Sequence, residues 1–327
     1  MSILVYGNGF NPWKNLAVEK YLFLLGEKEV ILYLWQNANT VVIGRNQNAY
    51  NECDLSAMEA DGVTLARRES GGGAVFHDTG NLNFTFIAPN GIYDIPRQMT
   101  VIQKAAAQFG IQVQLTGRND IVAGQNGCKF SGNAFQKGAT HSLHHGTLLI
   151  SADLGKASKY LTPSKSKLRS KGVKSVRSRI CNLSEWSSAV TVEEMCRALV
   201  RVFESEYGAA QLYRVPENDP QTMQFCAEFS DPHWLLGQAS DYTVSYETRF
   251  DWGSIELRLA VSGNSIAGVQ IFSDAMDEKL VPAVESALIG SQYEVEEMAQ
   301  RVRTIEKAEA GQIAGWILSS FSDTNPK

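Results

Sequence analysis

The stretch "ARRESGGGAVFHDTGN", Ala66 to Asn81, sets two arginines before three consecutive glycines and runs on into a β-branched, aromatic segment ending in His77 and Asp78. Consecutive glycines cost backbone entropy and weaken a strand, so the run needs a reason. One reason is a tight turn or a close backbone crossing. The other is a loop whose N–H groups approach an anion while Arg67 and Arg68 add charge, and the arginines favour it. A P-loop is excluded, because no G-x-x-x-x-G-K-[ST] occurs in the chain, and "GNGFNP" lacks the third glycine of a dinucleotide fingerprint.

Lys129 stands in "GCKFSGNAF", within an apolar strand pattern. A lysine there either points to solvent from an edge or serves a negatively charged ligand, and the residues alone leave both open. His144 and His145 are adjacent, so in a strand they face opposite sides and cannot chelate one metal together. One of them can still reach a ligand. His77 reads equally as a structural imidazole. Asp120, in "GRND", fits an Asx turn, or a carboxylate assisting Mg²⁺ near phosphates.

The elements that must carry these residues are mixed. Asn11 and Pro12 open a helix that Gly26 stops, and a second helix over "DLSAMEADG" ends at Gly62. Short strands are predicted at "VILYLW", "TVVIGR", "VTLARR", "AVFH", "LNFTFIA", "IQVQLT", "DIVA", "CKFSGNAFQ" and "GTLLIS", with a helix from Thr100 to Phe109. Thr191 and Glu194 cap a further helix. Many short strands with few helices favour an α+β layer fold over a doubly wound parallel sheet. Between Pro216 and Tyr246 periodicity fades, which suggests a connection between domains. The division expected is therefore 1–245 for a large N-terminal domain and 246–327 for a small α+β one, the latter opening on a hairpin with "SGNS" as its turn.

A chain of 327 residues has ample length for two cores, and its net charge of −5 does not suit a nucleic-acid binder. The charge is uneven, however. From Lys156 to Arg179 there are nine basic residues and no acidic one, either a solvated surface or an anion-binding loop. Five cysteines, odd in number and without a C-x-x-C pair, argue against a disulfide framework and a zinc site. The first residues, "MSILVYGNGFNPW", show no basic n-region and no long apolar h-region, and no run reaches membrane length, so an unexported protein in a reducing cytoplasm is expected.

Taken in order, "NPWKNLAVEKYLF", "LWQNANTVVIGRNQN", "LARRESGGGAVFHDTGNLNFTF", "GRNDIV", "KFSGNAF", "HHGTLLISADL" and "KGVKSVRSRICNL" closely resemble the lipoate-protein ligase A family, from near the N-terminus to about Trp186. The wider group, with biotin protein ligases and octanoyltransferases, shares a fold like that of class II aminoacyl-tRNA synthetases. The resemblance implies an enzyme that activates lipoate with ATP and Mg²⁺ to lipoyl-AMP and passes the lipoyl group to a lysine on a lipoyl domain. The acceptors implied are acyltransferase subunits of 2-oxoacid dehydrogenases and the H protein of glycine cleavage, with no nucleic acid or membrane partner.

By the same matching, Arg68 and Ser70 would touch the ligand and Gly73, Ala74, Val75 and Phe76 would surround the nucleotide, with His77 beside it. Lys129 would contact carboxylate and phosphate oxygens, His145 would contact the ligand, and the basic segment from Lys165 to Arg179 would close over the adenylate. Gln136 stands where the best-known ligases carry arginine, and Glu69 where they carry a small residue; both depart from the family pattern. The runner-up is an ATP-independent octanoyltransferase, which Cys128 keeps open as a nucleophile. A non-catalytic nucleic-acid-binding protein using the basic run is the reading from another class.

Overall fold

Asn11 caps α1 (Pro12–Leu25) by accepting the Lys14 N–H at 3.0 Å, and Gly26 ends it in the left-handed conformation at φ 70°. That helix follows β1 (Ser2–Tyr6) and feeds β2 (Ile31–Trp35) and β3 (Thr40–Ile43). The computed structural model describes residues 2–116, 119–124, 127–162, 180–237 and 242–320. The basic segment from Lys165 to Arg179 lies outside the described residues.

Further along come α2 (Ala49–Glu52), α3 (Leu55–Ala60), β4 (Thr64–Arg67), β5 (Val75–His77) and β6 (Asn81–Pro89), then α4 (Ile95–Ala107) and the strands β7 (Val113–Thr116), β8 (Asp120–Ala123), β9 (Cys128–Lys137) and β10 (His141–Leu149). α5 (Leu154–Tyr160), α6 (Val192–Tyr207), β11 (Ala210–Leu212), α7 (Pro220–Ser230) and α8 (Pro232–Leu236) complete this part. The chain is α+β. One sheet is ordered β11-β1-β2-β6-β10-β9-β8-β7, and a small one β4-β3-β5.

The pleat sorts the large sheet into two faces. Leu32, Leu34, Leu82, Phe84, Phe86 and Leu148 point into one core with α4 and α6. Their strand neighbours Ile31, Tyr33, Trp35 and Ile87 point the other way, toward α1, α7 and the small sheet. Every functional candidate on β6 and β10 is therefore assigned to a face by its register.

Three boundaries differ from the sequence reading. α4 starts at Ile95, because Asp94 accepts the Arg97 N–H and Pro96 suits a first turn. β10 starts at His141, extending the "GTLLIS" strand backward. Between Pro216 and Tyr246 the chain forms α7 and α8 instead of an irregular connection, since Asp219 caps α7 and Pro220 opens it.

The chain divides into two compact units, one comprising 1–43, 49–68 and 74–236, and the other 44–48, 69–73 and 237–327. The second is a meander, β12 (Val244–Phe250), β13 (Gly253–Ser262) and β14 (Ser265–Ser273), with α9 (Leu280–Leu288), α10 (Val295–Arg303) and α11 (Ala308–Ser320). Within it the triple glycine finds a steric reason. The Gly72 N–H donates to the Ala275 carbonyl at 3.0 Å, and a Cβ on Gly71 would lie 2.3 Å from that oxygen. Gly72 also has φ 91°, whereas a Cβ on Gly73 would meet nothing within 4 Å. Two of the three glycines thus serve a backbone crossing, leaving only Gly73 for the anion-loop reading.

Candidate functional site

Lys129 owes its position to a bulge. The β8–β9 ladder pairs Asp120 with Gly132, Ile121 with Ser131 and then Val122 with Lys129, skipping Phe130. The skipped Phe130 is fully buried in the core beneath, and the change of phase sends the lysine over Gly132. A Cβ on Gly132 would stand 3.3 Å from Lys129 Nζ and 4.0 Å from Thr147 Oγ1, so the missing side chain makes room for the amine. β9 is an interior strand, which excludes the edge position that the sequence left open. The ammonium, half-exposed, sits 2.6 Å from Asp120 Oδ1.

Thr147 leads across the sheet to the other candidates. It is opposite Asn83, which is also opposite Trp35, while Thr85 is opposite both His145 and Tyr33. Directly paired residues share a face, so Lys129, Thr147, Asn83, Trp35, Thr85 and His145 line one side. His145 donates from Nδ1 to the buried Glu19 carboxylate at 2.8 Å. The same Glu19 oxygen accepts the Thr85 hydroxyl at 2.6 Å, and Trp35 Nε1 donates to that hydroxyl at 3.0 Å. Glu19 thereby fixes the tautomer and orientation of His145, as carboxylates commonly do for imidazoles.

His77 lies edge-on to Trp35. Asn37 Nδ2 approaches its Nδ1 at 3.1 Å, which makes Nδ1 the acceptor and puts the proton on Nε2. Nε2 is buried and has no hydrogen-bond partner among the described residues. Burial, with Arg68 and His145 nearby, pushes the His77 pKa down to about 3. A neutral ring with an unsatisfied buried donor is uncommon, because buried polar groups are nearly always paired. Arg68 is buried as well; desolvation brings its guanidinium down to about 10 against the opposing pull of Glu19, so it stays cationic at neutral pH.

His144 faces the opposite side, stacked on Phe86 and Phe135 and edge-on to Phe84. Its ring nitrogens meet the side-chain amides of Gln98 at 3.0 Å and Asn133 at 2.9 Å, and burial pushes its pKa down to about 3. Asn133 in turn exchanges hydrogen bonds with the Asn119 backbone and side chain, fixing the residue before Asp120. This histidine supports the site from below and does not line it.

Val75 and Phe76 are half-buried and buried on β5, beside Val42 and Val41 of β3, and Ala74 precedes them. Ser70 and Gly73 belong to the segment 69–73 of the other unit. Cys128 and Cys181 form a disulfide, Cα atoms 5.9 Å apart, where the sequence argued against disulfides. Their separation of 53 residues hides the pair from spacing arguments; the Cys181 N–H bond to the Lys129 carbonyl at 3.0 Å draws them together. Sequence reasoning also missed Glu19, Trp35, Asn37, Asn83, Thr85 and Thr147. For Glu19 there was a signal, since it shares the buried stripe of Asn15, Leu16 and Leu22 on α1.

Two family models match, the lipoyl protein ligase A/B catalytic domain over residues 11–204 and the bacterial lipoate protein ligase C-terminus over 239–317. The chain belongs to the lipoate-protein ligase A family. It is an enzyme of the ligase class. Lipoate-protein ligase A of Psychrobacter cryohalolentis is 40% identical over 309 residues, 91% of each chain. Plasmodium falciparum LipL1, solved in complex with lipoate, superimposes with a TM-score of 0.87 at 30% identity, covering 98% of this chain and 100% of that one. A lipoate-protein ligase A solved with bound ATP gives 0.60 at 25% identity, over 72% of this chain and 98% of its own. Among the described residues no helix is long and apolar enough to cross a membrane.

Proposed function

We propose that this ligase activates free lipoate with ATP to lipoyl-AMP, releasing pyrophosphate, and transfers the lipoyl group to a lysine of lipoyl domains of 2-oxoacid dehydrogenases and of the glycine cleavage H protein. The observation that carries this reading is the Lys129 ammonium, aimed by the β9 bulge onto the sheet face that also bears His145. Attack of a carboxylate on an α-phosphate brings two anions together, and a fixed cation at that point stabilises the charge that develops. The Lys129 ammonium takes that place, on carboxylate and phosphate oxygens. Buried Arg68 adds a second cation, His77 donates from Nε2 to the ligand, and His145, held by Glu19, contacts it from the deeper end. Ala74, Val75 and Phe76 run beside the nucleotide. The roles of Ser70 and Gly73 rest on the family motif alone.

Mg²⁺ fits this site only as an ion shared between Asp120 and the nucleotide, since among the described residues no three His, Cys, Asp or Glu side chains gather for a metal. Such sharing is the usual way Mg²⁺ is held, and the ion would neutralise phosphate charge. The ATP-bound and lipoate-bound relatives support the two substrates. We place the reaction in the cytoplasm, whose reducing conditions would hold Cys128 and Cys181 as thiols. Intact-mass analysis of an unmodified lipoyl domain incubated with the protein, Mg²⁺ and lipoate tests the reading. One lipoyl group gained only when ATP is present is the expected result; modification from octanoyl carrier protein without ATP would assign the octanoyltransferase reaction instead.

A further inference from the structure

Asn81 and Asn83 stand two residues apart on β6 and are 0% and 2% exposed. Their side chains bond to one another, Asn81 Nδ2 to Asn83 Oδ1 at 3.0 Å. The remaining atom of each amide, Asn81 Oδ1 and Asn83 Nδ2, is buried with no partner among the described residues. Two unsatisfied polar atoms in one buried pair are unusual, because each costs about 1–3 kcal/mol unless something meets it. Turning both amides over exchanges the two atoms but still leaves one acceptor and one donor unpaired.

The pair's location says what meets it. Asn83 is opposite both Trp35 and Thr147, so it shares the face of Lys129, whose amine lies beside the same Gly132 position that Thr147 touches. His77, with its own unpaired Nε2, is edge-on to Trp35. The unpaired acceptor is the discriminating atom, since it requires a hydrogen-bond donor. A lipoate carboxylate, its apolar chain and a triphosphate offer none at neutral pH. Within the two substrates of the activation step, donors occur only on the nucleoside, as the adenine amino group beside ring nitrogen acceptors and as the ribose hydroxyls.

We propose that the Asn81–Asn83 amide pair is the nucleoside-reading element of this site, binding the donor and acceptor groups of the base edge or of the ribose diol of ATP. This rests on the ATP-dependent reading above and deepens it. The test is lipoate-dependent ATP–pyrophosphate exchange by the full-length enzyme, comparing wild type with Asn81→Ala, Asn83→Ala and the isosteric Asn83→Asp, each checked for a native melting transition. Losing one such bond raises KM for ATP about tenfold while KM for lipoate stays within about twofold. Asn83→Asp keeps the volume but removes the amide donor, so it shows the same rise even if the alanine variants fold poorly.

Nucleotide analogues separate the two sources. If the pair reads the ribose, wild type and Asn81→Ala are alike with 2′-deoxy-ATP; if it reads the base, they are alike with inosine triphosphate. An unchanged KM for ATP in well-folded variants overturns the proposal. So does a rise in KM for lipoate, or an effect seen only when isolated lipoyl-AMP is transferred to the acceptor lysine. Failure of wild type to exchange pyrophosphate at all would overturn the ligase reading instead, and is distinguishable for that reason.

Discussion

Replacing Lys129 by alanine removes the one cation that the β9 bulge delivers to the sheet face, and lipoate-dependent pyrophosphate exchange should fall by about 10²–10³ or more. Cys128→Ser should leave the exchange nearly intact, because the proposed lipoyl-AMP route needs no covalent enzyme intermediate, though under oxidising conditions the melting temperature falls with loss of the Cys128–Cys181 link. The reverse ranking would indicate a cysteine nucleophile and an octanoyltransferase. Glu19 offers a second contrast at this scale. Glu19→Ala strands His145 and Thr85 without their shared acceptor and should destabilise the fold by about 3 kcal/mol, read by urea unfolding. Glu19→Gln keeps an acceptor for Thr85 and should be milder in stability while still raising KM for lipoate, since His145 loses its carboxylate. Motifs single out Lys129 and His145 in the sequence, and the register sets both on one sheet face. Glu19 and Thr85 were not legible there, because their meeting depends on α1 crossing β6 66 residues away.

Strands were legible wherever apolar residues alternate, and β6, β9 and β10 were all anticipated from that alternation. What alternation cannot supply is register. The bulge that buries Phe130 and frees Lys129 depends on pairing with β8, which a single strand's pattern does not contain. Glycines show the same limit. A triple glycine could mean an anion loop or a crossing, and only the position of Ala275 decides for Gly71 and Gly72. Gly146 carries no special φ, yet a Cβ there would lie 2.6 Å from Phe84 Cζ and 2.7 Å from Asn133 Oδ1. Gly146→Ala should therefore cost about 1–3 kcal/mol by overpacking β10 and disturbing the His144–Asn133 contact. Gly73→Ala meets open space and should leave stability within about 0.5 kcal/mol. A loss of nucleotide affinity in Gly73→Ala with stability unchanged would show that backbone approach to the ligand is what this glycine permits. Unchanged affinity would assign the whole run to the crossing.

At the scale of the whole molecule, two buried neutral histidines tie the fold to pH. His77 and His144 both titrate near 6.5 in an unfolded chain and only near about 3 when folded. Above 6.5 neither state binds a proton there, and their contribution is fully present. As pH falls from 6.5 toward 3, the unfolded chain takes up protons that the folded one refuses, so stability drops. Each such histidine adds a slope approaching about 1.4 kcal/mol per pH unit. Ordinary carboxylates begin to protonate only below about pH 5, which leaves the interval from 5 to 6.5 to the imidazoles. Urea unfolding followed across that interval should show stability rising with pH, and His144→Gln, which retains hydrogen-bonding capacity without titrating, should lose about half of the rise. A flat profile in wild type would mean that water reaches both rings. A halved slope accompanied by an unchanged KM for lipoate and ATP would place His144 with the supporting network under the sheet, separate from the face that bears Lys129.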